Sequence, residues 1–228
     1  MRISAIVLLL LGWLLPGLSH AQVSLETKAD SLSYALGLDV AKNLSNFEFD
    51  FNYDMIYQGF KGAQEENGGI MTAEQSQALL QAFQQEMMAA QKAKVAARAE
   101  QAKVEGEIFL EENGKKPGIV TTASGLQYEV LREGDGVSPT PNNTVKVHYE
   151  GKLLNDEVFD SSYDRGTPTE FMVGRVIQGW IEGLQLMKTG SKYRFFIPAN
   201  IAYGQNGSPP KIGPNEVLIF EVELFEVK

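Results

Sequence analysis

The chain has 228 residues, no cysteine and a formal net charge of −9, with 43% hydrophobic and 21% charged residues. This is a globular composition, long enough for one or two domains with a proper core. The absence of thiols excludes disulfides, thiolate zinc sites and a cysteine nucleophile, and the acidic balance argues against nucleic acid and anionic lipid as partners.

Residues 1–21 have the pattern of a signal peptide. Met1-Arg2 gives a short positive end, Ala5 to Leu15 is an apolar run, Pro16-Gly17 breaks it, and Ser19-His20-Ala21 places small residues before a cleavage point. The run falls short of the roughly 20 residues that a spanning helix needs, which favours cleavage over a retained anchor. No cysteine follows the site to carry a lipid, and no later run is long enough for stable membrane insertion.

Residues 22–70 read as a helical region. Asp30 is positioned to cap a helix running to about Asn43, and Leu32, Leu36, Val40 and Leu44 form one stripe at i+4 steps. A second helix is predicted from Tyr53 to Gln64, with Met55, Ile56, Tyr57 and Phe60 as its apolar members and Gly68-Gly69 as its end. The pair has too few apolar residues for a core of its own and needs a partner surface.

Residues 71–113 read as one long connecting helix, opened by the capping pattern Thr72-Ala73-Glu74-Gln75. From Ala73 to Glu112 there is no proline, and good helix formers dominate. Leu79, Leu80, Phe83, Met87 and Met88 give an early apolar face. Ala89 to Lys103 is almost wholly polar or small, which predicts a solvated stalk, and Ile108 and Phe109 restore an anchor. Asn113-Gly114 suggests a left-handed exit. The helices could fold back as an ordinary bundle or stay extended and intertwine with a second chain; the unbroken polar middle favours the extended homodimer.

Residues 114–125 read as a linker. From Leu126 the period changes from 3.6 to 2, with predicted strands at Leu126–Leu131, Thr144–Gly151, Ser191–Pro198 and Glu216–Val227. One short helix carries Ile177, Trp180, Ile181 and Leu184 on a face. The predicted class is α+β: an N-terminal all-α dimerisation domain, a long connecting helix, and over residues 126–228 an antiparallel sheet wrapped on a short helix.

Reactive chemistry is scarce in this last segment. With the leader removed, His148 is the only histidine, on the outward face of a strand as a surface residue, so neither a serine-histidine-aspartate triad nor a multi-histidine metal site is supported. Asp156-Glu157 reads as a hairpin tip rather than a calcium loop. The glycines lack a nucleotide-binding setting. No metal or cofactor is called for. What remains is an aromatic set: Tyr149, Phe159, Phe171, Trp180, Tyr203 and Phe220.

Those aromatics stand in recurrent company: Val147-His148-Tyr149-Glu150-Gly151, Phe159-Asp160-Ser161-Ser162, Val176-Ile177-Gln178-Gly179-Trp180, Ala202-Tyr203-Gly204 and Leu218-Ile219-Phe220-Glu221-Val222-Glu223-Leu224. Together they resemble the FKBP family of macrolide-binding peptidyl-prolyl cis-trans isomerases, from about Leu126 to Lys228. Upstream, Tyr34-Ala35-Leu36-Gly37, Gln58-Gly59-Phe60 and Gly125-Leu126-Gln127-Tyr128 look like the Mip-type bacterial subfamily, which has an N-terminal helical dimerisation domain.

The resemblance implies Trp180 as the floor under a proline ring. It implies Tyr149, Phe159, Phe171 and Phe220 as walls, with Val176 and Ile212 beside them. Ile177 would offer its backbone N–H to one substrate carbonyl and Tyr203 its hydroxyl to another. Asp160 would sit at the rim, with Arg165 paired to Asp160 or Tyr149. Lys211 stands where single-domain relatives commonly carry an apolar residue.

The implied partners are unfolded or partly folded proline-containing polypeptides, with macrolides as inhibitors. The expected location is the periplasm, with the surface or secretion as further destinations. A different class of function is a periplasmic holdase chaperone that binds unfolded chains through the dimeric helical cleft, using Met55, Met71, Met87 and Met88, with isomerisation secondary. The blander reading of those methionines is dimer core.

Overall fold

The computed structural model describes residues 24–64 and 69–228. The expected signal peptide, residues 1–21, and Gly68 lie outside the described residues. The chain divides into two compact units, Met1–Ala73 and Glu74–Lys228.

The first unit is helical. Helix α1 spans Lys28–Leu44. Its N-cap is Thr27, with Asp30 at the third helical position: Thr27 Oγ1 accepts from the Asp30 N–H, and the Asp30 carboxylate accepts from the Thr27 N–H at 2.8 Å. This reciprocal capping box starts the helix earlier than the cap expected at Asp30. Helix α2 spans Tyr53–Gly62, capped by Asn52 Oδ1 on the Met55 N–H. Neither helix buries a single residue: Leu32, Leu36, Met55, Tyr57 and Phe60 are all exposed.

Helix α3, Ala73–Asn113, is 41 residues long, or about 60 Å at ~1.5 Å per residue. Its early apolar face is open, with Leu79, Leu80 and Met88 exposed. Its later part departs from the expected solvated stalk. Ala102 and Gly106 are buried, Arg98 pairs with Glu216 at 3.3 Å, and Asn215 Nδ2 donates to the Ala99 carbonyl at 3.1 Å. Small residues explain how an apparently stripeless helix packs. A Cβ at Gly106 would come within 2.7 Å of Val217 Cγ2, so the helix axis lies too close for a larger side chain. Ile108 is exposed, and the anchor is Phe109 alone, 5.8 Å from the Phe196 ring.

The helix exit is not left-handed at Asn113-Gly114. Gly114, Lys115 and Lys116 donate to Leu110, Glu112 and Asn113 in a tightening turn, and the positive φ falls at Gly118. Buried Asn113 donates to Gln127 Oε1 at 2.9 Å, while Gln127 Nε2 reaches the Leu110 carbonyl at 2.7 Å. The segment expected as a linker, residues 114–125, contains strand β1, Ile119–Thr121, paired with β2, Gln127–Arg132.

The remaining strands are β3 (Thr144–Lys152), β4 (Val158–Ser161), β5 (Thr169–Met172), β6 (Lys192–Ile197) and β7 (Leu218–Val227). Their order is β1-β2-β6-β7-β3-β4, with β5 also on β3, and every pairing is antiparallel. Strands β4 and β5 are short, which is why alternation alone does not reveal them.

On β3, Val145, Val147 and Tyr149 face inward and Lys146, His148 and Glu150 outward, as the alternation predicts. Helix α4, Gln178–Leu186, crosses the inner face of the sheet. Gly179 and Gly183 let it settle there, since a Cβ at either would strike Ile197 or Phe195 of β6. The core beneath it joins Val145, Val147, Leu184, Phe195, Ile197, Leu218, Val222 and Leu224. Among the described residues no helix is long and apolar enough to cross a membrane.

Candidate functional site

One end of the layer between sheet and helix opens as a cavity of about 740 Å³. It is lined by Tyr149, Phe159, Asp160, Phe171, Val176, Ile177, Trp180, Tyr203, Ile212 and Phe220, together with Arg175, Ser208, Pro209, Pro210 and Lys211. Sequence reasoning named the first ten. Arg165 is not part of the lining and reaches it through Asp160 and Tyr149. A size of several hundred Å³ with mainly apolar walls suits a small ligand or a short peptide segment.

Each wall comes from a different element. Strand β3 supplies Tyr149 and β4 supplies Phe159 and Asp160. Phe171 comes from β5, Phe220 from β7, and Trp180 from the first turn of α4. Trp180 is only 4% exposed and is met edge-on by three rings, Tyr149 at 5.3 Å, Phe171 at 5.4 Å and Phe220 at 5.1 Å. Phe159 meets Phe220 at 5.4 Å in the same T-shaped way. Edge-to-face contacts of this kind hold rings at fixed angles, so the bowl is preformed.

Gly151 makes that packing possible. It lies opposite Phe220 and Asp160 in the sheet register, and a Cβ there would fall 2.6 Å from both Phe159 Cζ and Phe220 Cε1.

The polar side of the bowl is a closed triad of contacts. Tyr149 OH donates to Asp160 Oδ2 at 2.5 Å. Arg165 Nη1 donates to Asp160 Oδ1 at 2.5 Å, and Arg165 Nη2 to the Tyr149 oxygen at 2.7 Å. The two pairings expected as alternatives for Arg165 both occur. Burial, and then the hydrogen bond to Asp160, push the Tyr149 hydroxyl up to about 12. Burial alone would raise Asp160, but the Tyr149 hydroxyl and the Arg165 guanidinium hold its carboxyl below its ordinary range. Tyr149 is therefore a neutral phenol and Asp160 a carboxylate at any physiological pH.

Two donors at the bowl are unspent. Ile177 is the N-cap of α4, and its carbonyl accepts from Trp180 and Ile181. Its own N–H has no acceptor among the described residues. Tyr203 is 40% exposed, and its hydroxyl likewise makes no hydrogen bond among the described residues. The buried Trp180 indole N–H is a third donor without a partner.

The reach of Lys211 across the mouth has no signal in the sequence. Ser208 and Ile212 form a tight bridge, exchanging hydrogen bonds at 2.8 and 3.1 Å. Lys211 at its turn donates to the Phe159 carbonyl at 2.7 Å. Arg175, exposed at the end of a 3-10 turn over Val173–Arg175, also escaped notice because a lone arginine carries no pattern.

His148 is less of a surface residue than expected. It stacks on Tyr163 at 4.5 Å, meets Phe225 edge-on, and its Nδ1 lies 2.8 Å from Ser162 Oγ. That pair is not a nucleophile and base. Ser162 is fully buried, and its oxygen is engaged by the Tyr149 backbone, accepting from the N–H and donating to the carbonyl. Among the described residues, no group of three or more His, Cys, Asp or Glu side chains is placed to hold a metal ion.

A second cavity, of about 430 Å³, lies by Phe109, Asn113 and Phe196 on the other face of the sheet. Its charges satisfy one another, with Arg194 pairing to Glu129 at 2.9 Å and to Glu221 at 2.6 Å. It offers few unspent polar groups, which makes the aromatic bowl the candidate site.

Comparison with known proteins finds similar sequences and structures over most of the chain. Residues 136–225 match a family described as FKBP-type peptidyl-prolyl cis-trans isomerase, and residues 29–130 a domain amino terminal to FKBP-type peptidyl-prolyl isomerase. The chain is 43% identical over 205 residues to outer membrane protein MIP of Legionella longbeachae, covering 90% of this chain and 88% of that protein. It is 39% identical to peptidyl-prolyl cis-trans isomerase Mip of Coxiella burnetii, covering 95% and 94%. The crystal structure of FkpA from Escherichia coli superimposes with a TM-score of 0.74 at 32% identity, covering 90% of this chain and 99% of that one.

Proposed function

The chain belongs to the family of FKBP-type peptidyl-prolyl cis-trans isomerases and has their activity, and from that premise we propose that the aromatic bowl is where an X–Pro bond is turned. The observation that carries this reading is the pairing of a rigid, buried floor at Trp180 with unspent donors at Ile177 and Tyr203.

The chemistry needs nothing more reactive. The barrier to X–Pro rotation is ~18–20 kcal/mol and comes from amide resonance, not from any bond to a third group. The planar imide has the larger carbonyl dipole, so an apolar bowl disfavours it more than the twisted form. Tyr149, Phe159, Phe171 and Phe220 hold the proline ring over Trp180, with Val176 and Ile212 at its sides. The Ile177 N–H and the Tyr203 hydroxyl take substrate carbonyls. Asp160 and Arg165 fix the Tyr149 ring. A thousandfold acceleration requires ~4 kcal/mol, within reach of a few oriented hydrogen bonds and exclusion of water.

We assign the substrates as unfolded or partly folded exported proteins. The leader pattern of residues 1–21 supports export to the periplasm, and the name of the Legionella relative, an outer membrane protein, fits a destination in the envelope. We read residues 22–70 as a dimerisation region. Leu32, Leu36, Tyr57 and Phe60 are exposed in a single chain, and a second copy would cover them. A chaperone reading, in which the same faces hold unfolded chains, is favoured by the exposure of Met55, Met71 and Met88.

One set of assays separates these readings. Isomerisation of a short Leu-Pro peptide should be accelerated by the protein and depressed at least tenfold by Trp180→Leu. Unchanged activity in that variant would remove the bowl from the reaction. Suppressed aggregation of a proline-free client, surviving Trp180→Leu, would support the chaperone surface.

A further inference from the structure

Most of the bowl is uncharged, but its mouth is not. Three side chains that are charged at neutral pH line the cavity: Asp160, Arg175 and Lys211. Asp160 is answered by Arg165 and Tyr149. The other two have no carboxylate within ion-pair distance among the described residues. Lys211 spends one of its three donors on the neutral Phe159 carbonyl, which holds the ammonium across the opening. Both cations are exposed while Trp180 beneath them is buried, so they stand where a peptide enters rather than where a ring would sit.

We propose that Lys211 and Arg175 make this isomerase select an acidic side chain adjacent to the proline it turns. The proposal rests on the bowl being the proline site. A ring seated on Trp180 carries its chain neighbours past the rim, and the rim offers two cations and one carboxylate that is already neutralised. Apolar walls beside a charge weaken its screening by water and strengthen its attraction for an incoming carboxylate.

The chain as a whole argues the other way. At a formal net charge of −9, long-range attraction alone would favour a basic peptide. Selection for an acidic one therefore has to be local, and it distinguishes the rim from the bulk.

The test is the isomerisation rate, by NMR exchange or a coupled assay, of peptides differing only at one residue flanking proline: glutamate, leucine or lysine, placed before the proline in one set and after it in another. At low salt, the ratio of kcat/KM for glutamate to that for lysine should be about five- to tenfold in at least one set, since a partly exposed charge contact is worth up to about fivefold. The ratio should fall towards one in ~0.5 M salt, where screening acts over a few ångströms. It should also fall in Lys211→Met and further in Lys211→Met/Arg175→Gln.

A ratio of one or less in both sets at low salt would overturn the proposal, as would a ratio that persists in the double variant. The leucine peptides keep this distinct from the parent reading. If they are turned over but the ratio is flat, only the rim selection is wrong. If none of the peptides is accelerated, the bowl reading fails and this proposal fails with it.

Discussion

Leu36 on α1 is 65% exposed, while Leu224 on β7 has no exposed surface at all. The same residue type, in the same chain, is used in two ways. The sheet unit gathers most of its large apolar side chains into one internal core, with the bowl open at one end of it. The N-terminal helices bury nothing of their own. One region has an interior of its own as a single chain, and the other has none. The catalytic role that we propose for the bowl suits the first kind of region, and the assembly role that we propose for the helices suits the second.

The largest effect should come from the helices. A Leu36→Asp/Phe60→Asp variant puts charges into faces that we assign to a second copy, where an unpaired buried charge is strongly disfavoured. Light scattering should give the mass of a monomer instead of a dimer. A dimeric mass for the variant, or a monomeric mass for the unaltered protein, would break the contrast between the regions.

Next in size is a change inside the sheet unit. Trp180→Ala removes the ring that three others pack against and should cost about 3–5 kcal/mol in a urea titration. Gly151→Ala should cost about 1–3 kcal/mol, because Phe159 and Phe220 must give way to a new methyl group. A change below about 0.5 kcal/mol would show that the rings over Gly151 shift freely and that the bowl is not preformed.

The smallest effect is an absence. Asp160 is depressed, so the contribution of its pair with Arg165 is fully present above the ordinary carboxylate range and lost as pH falls through its lowered value. Tyr149 keeps its proton to about 12. Peptide kcat/KM should therefore stay flat from about pH 5 to pH 9. An inflection near neutrality would reveal a titrating group in the reaction and contradict a bowl that works without one.

Much of this was legible beforehand, for identifiable reasons. The alternation on β3 and β7 and the i+4 stripe of α1 are periodic signals, and the long proline-free run gives α3 directly. The lining aromatics stood out because fixed polar companions accompany them. The docking of α3 was not legible, because it depends on small residues. Ala102 and Gly106 make close approach possible in the stretch whose lack of large apolar residues reads as a polar stalk. Nor could the sequence give the joint contact of Arg165 with Asp160 and Tyr149, or the reach of Lys211 to Phe159, since both depend on how β4 and the Ser208–Ile212 bridge are brought together.

The central claim is that catalysis resides in the sheet unit and assembly in the helices. It is tested most directly by kcat/KM per subunit on a short Leu-Pro peptide, measured for the unaltered protein and for the Leu36→Asp/Phe60→Asp variant. The expected values agree within about twofold, because a short peptide uses only the bowl. A tenfold or greater loss in the variant, with the sheet unit still folded, would contradict the claim and make the bowl dependent on the helices.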